Sequence, residues 1–279
     1  MTVLVDDPVA RASGAGPSEA VLPGSITGIL FRLSPARVLV FLLGVATTLA
    51  GTSLILQGLY HSGQPVPMGV LVRLDLDREN NIPTWFSSVL LAGAAILLFF
   101  IARARSALGD RLAPYWLGLA LVFLYLSVDE TASLHEAAVG PIQRMLNTTG
   151  ALYAAWVIPA MVMVPIFVGI YLRFLWALPR RTAVLFLLAG AIYVGGALGL
   201  EMIGWHHRYP LHALNPTDWK ASKTMTYAVI NHAEEFMEMT GTIIFVYALL
   251  SYVRANRLAM VVRCPRPGSE RARPIGAKL

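Results

Sequence analysis

The stretch LAPYWLGLALVFLYLSVDETASLHE, from Leu112 to Glu136, decides the fold. Residues 112–128 carry no charge, and then Asp129, Glu130, His135 and Glu136 arrive together. An aliphatic and aromatic run of that length is a helix that enters hydrocarbon. The carboxylates that end it are costly near a bilayer unless they face protein or water.

The same pattern recurs along the chain. Uncharged runs fall at about 38–60, 80–102, 112–128, 148–172, 182–200 and 239–253. Of the 279 residues, 56% are hydrophobic and only 14% charged, and the mean hydropathy is +0.62. No strand alternation or internal repeat competes, so the chain is expected to be all-α, a polytopic transmembrane bundle of about six spans. Its parts are a disordered leader (1–35), the bundle (36–255) and a basic tail (256–279). The leader, with Asp6 and Asp7 and no basic segment before an apolar core, does not read as a cleavable signal.

The formal net charge of +6 does not point to nucleic acid, because the arginines cluster at helix ends and in the tail. They report topology instead. Arg32 and Arg37, Arg103, Arg105 and Arg111, Arg173, Arg180 and Arg181, and the tail arginines from Arg254 to Arg273 all belong on the cytoplasmic side. Both termini are then cytoplasmic, in what reads as a bacterial inner membrane, with the bilayer itself as the first partner. Cys264 is the single cysteine, which excludes an internal disulfide and any Cys-based metal site.

This orientation delivers acids and histidines to one level, the outer edge of the membrane. The third span brings Asp129, Glu130, His135 and Glu136, the fifth reaches Glu201, and the sixth opens with His232, Glu234, Glu235 and Glu238. At about 1.5 Å per residue, the uncharged parts of the third and sixth spans cover roughly 25 and 22 Å, against a core of about 30 Å. The first charged turn therefore lies below the interface and faces protein or a water-filled cavity. On an unbroken helix Asp129, Ser133 and Glu136 share a face, and His232 and Glu235 share another with Met239. Glu234 and Glu238 then occupy nearly the opposite face, so not all the carboxylates are expected to meet in one site: one set lines the cavity while the other contacts the head-group layer or the outer loops. Glu79, Asn81, Thr84 and Ser88, at the opening of the second span, are within reach of the same pocket.

Carboxylates and imidazoles from facing helices, with no thiolate, are the ligand set of zinc or of an iron or manganese centre. The candidate ligands of such a divalent metal are Glu130, His135, Glu136, Glu201, His232 and Glu235, with Asp129 and Glu238 as acid–base groups. A protonatable cluster without metal and a structural hydrogen-bonded network are the alternatives. The small residues of YVGGALG, 193–199, read as close helix packing.

On SVDETASLHE, GLE, HAEEFMEMTG and ENNIPTWFSS, the chain resembles a widespread set of uncharacterised bacterial multi-pass proteins. These carry a D-E...H-E pair on a middle helix and an E-E...E-x-x-G segment on the last. A looser similarity, in residue types alone, links it to metal-dependent membrane hydrolases, whose histidine pattern it does not reproduce. The leading expectation is a metal-dependent membrane enzyme acting on a lipid or apolar small molecule that enters from the bilayer. A proton- or cation-coupled transporter and a non-catalytic sensor or assembly protein are the other two.

Overall fold

The computed structural model describes residues 2–5, 34–218 and 222–261. Most of the leader expected to be disordered, most of the basic tail, and Cys264 lie outside them. The helices are α1 (Pro35–His61), α2 (Met68–Leu74), α3 (Ile82–Ala107), α4 (Ala113–Ala132), α5 (Leu134–Leu146), α6 (Val157–Ala177), α7 (Arg180–Val194), α8 (Glu201–Leu214) and α9 (Met225–Ala255). A π-helical turn, Gly195–Leu200, joins α7 to α8 without a break, and the short strands β1 (Thr2–Val5) and β2 (Leu258–Val261) pair antiparallel.

Five helices are long and apolar enough to cross a membrane: α1, α3, α6, the continuous α7–α8 rod and α9. The bent pair α4–α5 passes the same test only when its two parts are taken together. The structure is therefore a helical bundle with five to six helices fit to span a membrane. Caps set where two of the spans begin. The Asn81 side chain accepts the Thr84 N–H at 3.1 Å with Pro83 in the first turn of α3, and Thr224 Oγ1 accepts the Tyr227 N–H at 3.2 Å to start α9.

The third span does not continue as one helix through SVDETASLHE. Ser133 takes a left-handed conformation, φ 52°, and α5 leaves α4 at 76°. No glycine or proline stands at the break. The Asp129 side chain causes it, because its Oδ1 accepts the His135 N–H at 2.8 Å and caps α5 in place of a helical carbonyl. The 20 residues of α4, about 30 Å long, include Asp129 and Glu130, so the charged turn completes the span.

α9 is the axis of the bundle. It packs on α1, α3 and α7, whereas only 11% of the apolar window of α1 and of α6 is buried, which leaves those two facing lipid. α7 approaches α9 so closely that a Cβ on Gly241 would sit 2.8 Å from both Ala189 O and Tyr193 N. A Cβ on Gly196 would sit 2.9 Å from Glu234 O. The close packing expected of the small residues is thus realised at backbone distance. Below this crossing, Trp116, Phe174, Phe186, Phe245, Leu249 and Tyr252 form a dense aromatic core at the arginine end. A smaller cluster of Ala46, Leu76, Leu90, Met239 and Ile243 lies above it.

Candidate functional site

The site is built at the other end, in two layers. The mouth begins with the loop before α3. Asp75 is buried, accepts Gln57 Nε2 at 2.8 Å and pairs with Arg78 at 3.3 Å. Asn80 turns the chain with φ 58°, and Asn81 Nδ2 donates to Asp75 O at 2.6 Å. Thr84 Oγ1 donates to Arg78 O, which fixes the backbone on both sides of Glu79. Asp77 ties the same loop to α9 through Lys223 and, at 3.0 Å, through the Tyr227 hydroxyl. Of the four residues expected from this segment, only Glu79 reaches the acids. Thr84 serves the loop, Asn81 the cap, and Ser88 donates to Ser127 O to join α3 to α4.

Across from Glu79, the bend at Ser133 swings His135 and Glu136 back over the end of α4. One ligand atom from each of Glu79, His135 and Glu136 lies within 4.8 Å of the other two. Asp129 Oδ2 stands 3.0 Å from His135 Nδ1. A carboxylate only accepts, so Nδ1 carries the proton and Nε2 keeps its lone pair for a ligand. This is the carboxylate–histidine arrangement that supports metal-binding imidazoles. Burial pushes the Glu79 carboxyl up from its ordinary value, the Glu136 charge adds to the effect, and His135 opposes it.

The inner layer lies behind the triad. Trp156, 5.0 Å from His135 between ring centres, donates its Nε1–H to Glu201 Oε1 at 3.3 Å. Glu201 and Glu234 are neighbours across α8 and α9, and two carboxyls so placed favour a shared proton or a cation between them. Glu130 and Glu201 are the acidic neighbours of Glu235 and Glu238, and Tyr193 shares a small cavity with Glu238. A cavity of about 10 Å³, close to the space one water molecule fills, is lined by Ser87, Glu130, Tyr193, Glu238 and Thr242 among others.

The acids of α9 meet different neighbours. Glu234 faces α8, while Glu238 faces Tyr193 and the cavity it shares with Glu130 of α4. His232 stands apart from the Glu79–His135–Glu136 triad, with both ring nitrogens engaged. Its Nδ1 donates to Ala228 O at 2.7 Å, and its Nε2 lies 2.7 Å from the fully buried Ser53 hydroxyl of α1. Ser53 Oγ also accepts the Leu76 N–H at 3.2 Å, so His232 is a strut between α1, the outer loop and α9.

Tyr193 and Trp156 are the participants that pattern reading missed, and Glu234 is one it places at this level but not among the candidate ligands. The π-helical turn explains Tyr193. On an unbroken α-helix Tyr193 and Glu201 would stand roughly 80° apart, and absorbing one extra residue brings them within about 20° of one face. Trp156 follows a short 3₁₀ turn, Gly150–Leu152, and nothing in its neighbourhood marked it as a carboxylate donor.

A polytopic helical membrane protein with a cluster of carboxylates at one end is the class these features define. The chain belongs to the family described as a domain of unknown function (DUF8692), whose model matches residues 30–253. Its uncharacterised status agrees with the resemblance drawn from the motifs. Comparison with curated proteins and with solved structures returned no match.

Proposed function

We propose that the protein is a metal-dependent membrane enzyme that holds a divalent cation at Glu79, His135 and Glu136. The observation that carries this reading is the convergence of three ligand atoms within 4.8 Å, on a histidine whose other nitrogen is fixed by Asp129. Three protein ligands leave positions open for water and substrate, as hydrolytic centres require. Asp129 then acts by positioning His135 rather than as the general acid. Glu130, Glu201, Glu235 and Glu238 form a proton reservoir behind the ion, with Glu238 the innermost exchanger. Exposed apolar residues beside the mouth, such as Leu134 and Met145 of α5, favour a lipid or other amphiphile arriving from the bilayer. The arginines at the opposite end of the spans support cytoplasmic termini and an extracytoplasmic mouth, in a bacterial inner membrane.

Elemental analysis of the purified protein tests the metal. About one zinc, iron or manganese per chain is expected, falling to background in E136Q and H135Q; a metal-free wild type ends this reading. Reporter fusions after Gly140 and after Pro216 should both report an external location.

A second reading, a cluster that takes up protons or monovalent cations without a resident metal, is favoured by the closeness of Glu201 and Glu234. It predicts sodium- or pH-dependent thermal stability that survives E136Q and is lost in E234Q.

A further inference from the structure

At the arginine end, a cleft of about 590 Å³ is lined by Arg180, Arg181, Val184 and Leu185 of α7 and Tyr247 of α9. Arg181 Nη2 donates to the Tyr247 hydroxyl at 2.9 Å. Among the described residues neither arginine has an acidic partner at ion-pair distance, whereas Arg105 at the same end pairs with Asp110 at 3.6 Å and covers the Tyr252 ring.

Depth sharpens the contrast. Tyr247 precedes Tyr252 by five residues on α9, which places it about 7.5 Å nearer the middle of the span. Arg181 therefore holds its charge well inside the level at which Arg105 is neutralised. Both arginines also occupy the first turn of α7, where unpaired N–H groups already make the helix end positive. Two guanidiniums at such an end, beside hydrocarbon, call for an anion.

We propose that this cleft binds an anionic phospholipid, with the phosphate between Arg180, Arg181 and the Tyr247 hydroxyl and an acyl chain along α7. The apolar wall decides for a lipid over a soluble anion. Val184 and Leu188, one turn apart, are 54% and 47% exposed, and they continue the cleft directly onto the lipid-facing surface. The site stands apart from the cation reading and does not depend on it.

The test exchanges purified protein into micelles holding equal amounts of phosphatidylglycerol and phosphatidylcholine and reads the retained lipid by native mass spectrometry. Wild type should keep phosphatidylglycerol over phosphatidylcholine by roughly thirtyfold, as two basic side chains near an anionic head group supply. R180Q/R181Q should lose that preference and R180K/R181K should retain most of it, with R181Q alone giving the reading if the double variant does not purify. Equal retention of the two lipids by wild type, or an unchanged preference in the glutamine variants, overturns the proposal. Displacement of phosphatidylglycerol by inorganic phosphate also overturns it, since the cleft would then be a soluble-anion site.

Discussion

Replacing Asp129 with asparagine isolates one proton. The D129N side chain keeps the shape and an Oδ1 that still accepts the His135 N–H, so the cap of α5 and the bend at Ser133 survive. What changes is the second contact, 3.0 Å from His135 Nδ1. An amide nitrogen there donates instead of accepting, which drives the imidazole to the other tautomer and puts the proton on Nε2, the ligand atom. Loss of a carboxylate that orients a ligand histidine costs about 10- to 100-fold in metal affinity, or roughly 1.4–2.7 kcal/mol. D129A removes the cap as well and adds about 1–2 kcal/mol of instability. The assay is zinc or manganese titration of protein in nanodiscs against a competing chelator, with thermal melting alongside. D129N binding metal as tightly as wild type, while E136Q does not, would refute the tautomer reasoning.

Other outcomes follow from the same geometry. G241A forces a Cβ to 2.8 Å from two backbone atoms and should destabilise the bundle by about 1–3 kcal/mol in thermal or denaturant melts, whereas G93A, whose Cβ meets nothing within 4 Å, should not. S53A leaves His232 and the Leu76 N–H without their partner, so stability should fall by about 1–3 kcal/mol while metal content stays at the wild-type level. A drop in metal content instead would restore His232 as a ligand. Cation binding should weaken as pH falls, starting above the ordinary carboxylate range, because burial raises Glu79 and the ion must displace its proton. For the cation-free protein the sign is opposite: a carboxyl raised on folding adds stability at low pH that is lost as pH rises from its ordinary value through the raised one. E79Q should therefore melt higher than wild type at neutral pH and bind less metal.

The spans were legible because apolar length and arginine placement are one-dimensional signals, and so was the gathering of Glu130, Glu136, Glu201 and Glu235 at one end. The bend was not. It depends on a carboxylate outcompeting a backbone carbonyl for one N–H, in a segment whose residues are all compatible with helix. Tyr193 was hidden by the π-helical turn, which shifts every later face of that rod. The surroundings of His232 were not legible, because its partner Ser53 lies in the first span, 179 residues away.

The polar strip of α9 ends at Thr242, and directly beneath it Phe245 stacks on Phe123 and Leu249 joins the aromatic core. The acid cluster thus has an apolar floor. Such a floor predicts that protons and cations reach the acids from their own end of the bundle, so in sealed proteoliposomes a pH change on that side alone should shift the melting temperature, and an equal shift from the opposite side would refute it.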